Sequence, residues 1–232
     1  MKKLLSLILI ATISLSTLFV GSIGVGAVKK PKAPTGMKIT GYEFSNNCIQ
    51  ITFPTIPNAT GYEVKAFNNK NVCVSTTNNK SYSEQKKQTV YAKKVKCNNF
   101  YKLIIRSYIK AKGKTTYSNN SKAIYGCLGT TINKYSYSSK TKKHTFKWAK
   151  TNGATNYILQ ISKNKDIWCK VASTKSTSCS FTKVDGKTLN RGYLYDVRVI
   201  SQKKVGTKIY KSYGKIYSFH FTNDKGMIIL SD

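Results

Sequence analysis

His144 and His220 are the chain's two histidines, and Glu43, Glu63 and Glu84 with five aspartates are its eight acids. Hydrolytic chemistry needs a nucleophile, a base and an orienting group within reach of one another. The sequence offers no such set. His144 precedes Thr145-Phe146-Lys147-Trp148 and His220 lies between Phe219 and Phe221, so each reads as a strand residue on a sheet face. Glu63 follows Tyr62, and Asp196 follows Tyr195, in similar strand-like runs. The metalloprotease, serine-hydrolase and phosphate-loop motifs are all missing. The expectation is a protein with no catalytic residues, no metal and no cofactor.

Two other residue classes could do chemistry. Six cysteines stand at 48, 73, 97, 127, 169 and 179. An even number suggests disulfides if the chain is exported, with buried or free thiols as the alternative. Cys169 and Cys179 flank Ser173-Thr174-Lys175-Ser176, which reads as a turn between two strands, and form the candidate pair. The four earlier cysteines allow three pairings, and spacing does not choose among them. Zinc is disfavoured, because no C-x-x-C pair and no neighbouring His occurs.

Lysine is the second class. The chain carries 40 Lys+Arg against 8 Asp+Glu, a formal charge of +32 over 232 residues. Lysines number 37 and arginines three. They crowd two segments that read as hairpin tips: Lys110, Lys112 and Lys114, then Lys203, Lys204 and Lys208. Scattered lysine solubilises strands and protects sheet edges. It does not explain a charge this one-sided, because mixed charges would solubilise with less self-repulsion. The six tip lysines are therefore the candidate polyanion-binding residues. Lysine acts as a hydrated point charge, whereas bidentate reading of phosphate favours arginine, so the expected binding is salt-sensitive and weakly selective.

The elements that position these groups are strands. Ile49-Gln50-Ile51-Thr52-Phe53, Tyr62-Glu63-Val64-Lys65-Ala66 and Tyr157-Ile158-Leu159-Gln160-Ile161 alternate apolar and polar residues, the period of half-buried antiparallel strands. Asn68-Asn69-Lys70, Lys112-Gly113-Lys114 and similar clusters punctuate them. The chain also repeats. Ala59-Thr60-Gly61-Tyr62 returns 95 residues later as Ala154-Thr155-Asn156-Tyr157, and at that offset Ile51 meets Phe146 and Phe53 meets Trp148. Tyr101, Leu103, Ile105 and Ser107 match Tyr195, Val197, Val199 and Ser201. A period of this length is a domain, and seven or so short strands per copy predict two β-sandwiches. Residues 28–127 hold 18 basic and 3 acidic groups and residues 128–232 hold 20 and 5, so each copy is equally positive.

At these residues both halves resemble fibronectin type III domains of the kind found in exported bacterial proteins. Ala33-Pro34-Thr35-Gly36-Met37 is similar to the family's Pro-containing first strand. Its inward aromatic on the second strand is met by Trp148, and by Phe53 as a substitution. Gly61-Tyr62-Glu63-Val64 matches the start of the third strand. The family's Leu-x-x-Gly-x-x-Tyr corner is Leu189-Asn190-Arg191-Gly192-Tyr193-Leu194-Tyr195. In the first copy it is Val95-Lys96-Cys97-Asn98-Asn99-Phe100-Tyr101, with Asn98 in the glycine place, tolerable where φ is positive. The resemblance implies an all-β fold of two tandem immunoglobulin-like sandwiches over 33–127 and 128–222. It makes Tyr101 and Tyr195 structural corner residues and Phe53, Trp148, Tyr62 and Tyr157 core residues. Some relatives carry an integrin-binding Arg-Gly-Asp in the last hairpin; it is absent here, so integrin binding is not implied.

Met1-Lys2-Lys3 leads an uncharged apolar run from Leu4 to Ala27 that ends in small residues, the pattern of a secretory signal cut after Val25-Gly26-Ala27. An uncleaved anchor is the alternative, since the run is long enough to span a bilayer. Residues 28–32 then form a basic lead-in and 223–232 a C-terminal tail, whose Met227-Ile228-Ile229-Leu230 is far too short to span. The expected protein is secreted or held at the cell surface, without enzymatic activity. It is expected to associate with anionic cell-wall polymers or acidic glycans, and the rival expectation is extracellular nucleic acid.

Overall fold

A computed structural model describes residues 28–222 and 226–230. The expected signal segment, residues 1–27, lies outside the described residues. The first half folds as β1 (Lys38–Glu43), β2 (Cys48–Pro54), β3 (Gly61–Phe67), β4 (Cys73–Lys80), β5 (Lys87–Ala92), β6 (Phe100–Ala111), β7 (Lys114–Tyr117) and β8 (Ile124–Cys127). One sheet has the order β1-β2-β5. The other runs β4-β3-β6-β7, with β8 also paired to β6.

The second half repeats the plan: β9 (Ile132–Ser138), β10 (Lys143–Trp148), β11 (Asn156–Ser162), β12 (Cys169–Thr174), β13 (Ser178–Phe181), β14 (Tyr195–Val205), β15 (Lys208–Tyr213), β16 (Tyr217–Phe221) and β17 (Gly226–Leu230). Its sheets are β13-β10-β9 and β12-β11-β14-β16-β17, with β15 also on β14. The protein is thus all-β, two tandem immunoglobulin-like sandwiches. Part of the segment read as a tail, Gly226–Leu230, pairs antiparallel with β16 and extends the sheet, which satisfies its backbone groups by ladder bonds.

Period-two alternation builds both cores. In the first, Ile49, Ile51 and Phe53 of β2 face Tyr62 and Val64 of β3 and Leu103 and Ile105 of β6, all essentially inaccessible. In the second, His144, Phe146 and Trp148 of β10 occupy the places of Ile49, Ile51 and Phe53, and Tyr157, Leu159, Val197 and Val199 close over them. The aromatic pair at the repeat positions is kept in both. Phe53 meets Tyr62 edge-on at 4.9 Å between centroids, and Trp148 meets Tyr157 at 5.8 Å.

The tyrosine hydroxyls pin the connections. Tyr101 accepts from the Lys96 N–H at 3.0 Å and Tyr195 from the Asn190 N–H at 2.9 Å, each reaching five residues back. A second hydroxyl pair works at the other connection. Tyr62 accepts from the Ile56 N–H (3.2 Å) and Tyr157 from the Thr151 N–H (2.8 Å), each six residues back. Two core rings per sandwich therefore also satisfy loop donors that would otherwise be stranded away from water.

Candidate binding surface

The two lysine hairpins form as turns whose backbones suit their residues. Lys112 (φ 48°) and Gly113 (φ 77°) make a tight two-residue connection between β6 and β7. Gly206 (φ 58°) opens the β14–β15 turn. Aromatic faces sit beneath several ammonium groups: Lys110 over Tyr108 at 5.7 Å, Lys208 over Tyr210 at 4.8 Å and Lys203 over Tyr125 at 5.6 Å.

The six tip lysines do not converge. Lys203 and Lys204 line a cleft of about 350 Å³ with Asn68, Asn69, Asn71, Lys102 and Tyr125 of the first sandwich. Lys203 also donates to the Gly153 carbonyl at 3.3 Å. Lys102 is near the start of β6, whereas Lys110, Lys112 and Lys114 are at its far end. At roughly 3.3 Å per residue the two tips are separated by about 30 Å of strand. One basic hairpin is an outer tip and the other is built into the junction between the sandwiches.

That junction is dense with polar bonds. The Asn98 backbone N–H donates to Gly129 O at 2.8 Å. Its side chain exchanges bonds with Thr131: Thr131 N–H to Asn98 Oδ1 at 2.9 Å and Asn98 Nδ2 to Thr131 Oγ1 at 3.1 Å. Asn152 N–H donates to Asn98 O and Phe100 N–H to Asn152 O, both at 2.9 Å, making a parallel bridge between Asn99 and Asn152. Farther round, Cys127 N–H donates to Ser212 Oγ at 2.8 Å and the Tyr42 hydroxyl to Lys211 O at 3.3 Å, while the Tyr125 and Tyr210 rings meet at 5.1 Å. Asn98 has φ 59° and its counterpart Gly192 φ 76°, so asparagine is accepted in the left-handed turn. Only the fold shows that the Asn98 side chain is also a junction residue.

On the other side of the junction is a larger cleft, about 700 Å³, lined by Tyr42, Glu43 and Phe44 from the first sandwich and Lys165, Arg198, Tyr213 and Lys215 from the second. The Arg198 guanidinium is half-buried between two rings, its Cζ 3.9 Å from the Trp168 centroid and 4.9 Å from that of Tyr213. Its Nε donates to Gln160 Oε1 at 2.9 Å. Burial pulls its pKa down. Lysine clustering does not point to this cleft; the scarcity of arginine among forty cations is the signal for it in the sequence.

The cysteines correct an expectation. All six are free thiols, Cys169 and Cys179 among them. The turn read between those two does not close a hairpin. Cys169 lies on β12, opposite Ile161 of β11, and Cys179 on β13, opposite Phe146 of β10, so the chain crosses from one sheet to the other between them. Cys127 is buried at the junction, where desolvation pushes its thiol up to about 11. It is an inert packing group.

His144 is on the inner face of β10, 1% exposed, with Nδ1 2.8 Å from the Tyr135 hydroxyl. Burial lowers its pKa to about 4, so the ring is neutral at pH 7. With the hydroxyl as donor, the ring proton is on Nε2. Among the described residues no three His, Cys, Asp or Glu side chains form a metal-holding group, and no helix is long and apolar enough to cross a membrane.

No family model and no curated protein matches the chain. Among solved structures, a crystal structure of the FN1–FN3 domains of chicken CNTN1 is similar over 82% of this chain and 75% of that one, at 11% identity and a TM-score of 0.30. The strand order and the two cores, not this likeness, define the fold.

Proposed function

We propose that the chain is an exported, non-catalytic binding and adhesion module that associates with anionic extracellular polymers, either cell-wall polymers or acidic glycans. The observation that carries this reading is uncompensated charge. Eight acids cannot neutralise forty cations however they pair, and both sandwiches carry the excess equally. One of those acids, Glu63, is already shared between Lys65 and Arg106. The remaining ammonium groups on strand faces and hairpins form a broad positive field that concentrates polyanions at the surface. An outer lysine tip and a basic junction on one chain would let a long polymer engage two places at once, adding avidity.

The test is co-sedimentation of the exported protein with intact cell walls and with walls stripped of their phosphate polymers, across a salt series. The expected result is binding that falls steeply with salt and disappears with the polymer. Equal binding to both preparations at high salt would defeat the proposal. Tighter binding to DNA than to wall polymer or sulfated glycan at equal charge would favour a nucleic-acid role instead.

A further inference from the structure

We propose that the junction cleft around Arg198 is a selective subsite for an oxyanion carried on a sugar ring, a carboxylate or a phosphate. This rests on the polyanion reading above and gives it a place where shape, and not only charge, is read.

Arg198 and Arg106 make the case by contrast. Both project from the long central strand of their sandwich and both stack on a tyrosine. Arg106 spends its charge internally: Nε is 2.7 Å from Glu63 Oε1, with the guanidinium 3.7 Å from the Tyr117 centroid. Arg198 has the neutral Gln160 in the cross-strand place of that carboxylate, and among the described residues no acid pairs with it. It is a partly desolvated cation, oriented by one amide and two rings, whose charge no acid among the described residues neutralises. An incoming anion would offset that desolvation, and a stacked planar fork recognises oxyanions in two-point geometry.

The surrounding residues define what carries the anion. Tyr213 is 40% exposed, and Tyr42 and Phe44 are half-buried on the opposite sandwich, so flat apolar faces line a cavity of small-molecule size. Lys215 lies 5.4 Å from the Phe44 centroid and adds a second cation. Glu43 on the wall offers a carboxylate acceptor to the hydroxyls of a ring whose anion faces Arg198. An anion on a hydroxyl-rich ring satisfies all of these. The walls come from both sandwiches, and the junction bonds hold them in register before any ligand arrives, which lowers the ordering cost of binding.

The test uses the exported protein and isothermal titration in 0.5 M salt, where diffuse lysine attraction is screened but a half-buried stacked contact is not. The probes are a glucuronate-containing tetrasaccharide, a sugar-phosphate oligomer, a neutral tetrasaccharide and a single-stranded DNA of matched charge. The expected result is binding of one or both anionic saccharides at high salt, the better one naming the source of the oxyanion, with no binding of the neutral one. Arg198→Lys, which keeps the charge but not the fork, and Tyr213→Ala should each weaken that binding about tenfold or more. Their low-salt polymer binding should change by no more than about one charge's share of the salt slope. Loss of all binding in 0.5 M salt, an Arg198→Lys protein equal to the parent, or preference for DNA would each overturn the subsite. If polymer binding persisted at low salt in those cases, the broader function would stand. Absence of polymer binding at low salt as well would remove both.

Discussion

The two sandwiches share a strand plan yet fill it with different chemistry. At the inner positions of the first, Ile39 pairs with Ile51, Ile49 with Ala92 and Ile51 with Val90. At the matching places of the second, Tyr135 pairs with Phe146, His144 with Phe181 and Phe146 with Cys179. The rings of Tyr135, Phe146 and Phe219 come within 4.5 to 5.0 Å of one another. The break in the last strand is also solved twice. Ser118 and Ser121 hydroxyls accept from the Ser107 and Ile105 N–H groups in the first sandwich. In the second, Gly214 lets its backbone donate to Val199 O at 3.0 Å, where an added Cβ would fall 2.6 Å from that oxygen. A sandwich tolerates either an aliphatic or an aromatic filling if volume and polar satisfaction are kept. The aromatic choice brings a titratable group inside.

The largest expected effect tests how separate the cores are. Phe146→Ala should cost about 3–5 kcal/mol in the second sandwich. Scanning calorimetry should show that sandwich melting first while the first holds; one unsplit transition shifting as a whole would mean that the junction makes the pair a single cooperative unit.

Next comes pH. The folded His144 pKa of about 4 is below the ordinary value of 6.5, so the fold favours the neutral ring. Its contribution is complete above pH 6.5 and is lost as pH falls from there through 4, about 3 kcal/mol over the window. The first sandwich has Ile49 in that place and should lack this slope. The double variant His144→Ile, Tyr135→Phe removes both polar partners together and should flatten the second sandwich's acid profile. An unchanged profile in chemical denaturation between pH 7 and 4 would count against it.

Gly129 joins the two halves with φ 128°, and an added Cβ would lie 2.8 Å from a Phe44 ring carbon and 3.1 Å from Gly214 Cα. Gly129→Ala should therefore loosen the junction at a cost of about 1–3 kcal/mol. NMR relaxation would report it: one shared tumbling time in the parent and two distinct times in the variant. The smallest effect belongs to the corners. Tyr101→Phe and Tyr195→Phe should each cost about 1 kcal/mol in their own sandwich, and similar values from denaturant titration would show the motif doing equal duty in both.

Much of this architecture could be read before any coordinates. The 95-residue offset joining Ile51 to Phe146 and Phe53 to Trp148 predicts equivalent inner positions, and the structure buries all four. That works because side chains alternate strictly along a strand, so period-two patterning reports burial directly. Cys169 and Cys179 fail for a related reason. Their spacing suits a hairpin, but alternation says nothing about which sheet a strand joins, and β12 and β13 join opposite ones. Asn98 and Gln160 were opaque for the same cause: what their amides touch, Thr131 in one case and Arg198 in the other, lies 33 and 38 residues away.

By itself, then, the sequence determined the two sandwiches, their inner aromatic and aliphatic positions, the corner tyrosines and the charge excess, because local alternation, turn chemistry and composition need no long-range information. Tertiary structure alone decided that one lysine hairpin stands out while the other closes a junction. It also decided that Cys169 and Cys179 lie on opposite sheets and that, among the described residues, no carboxylate pairs with Arg198, since each of these depends on which distant strands lie side by side.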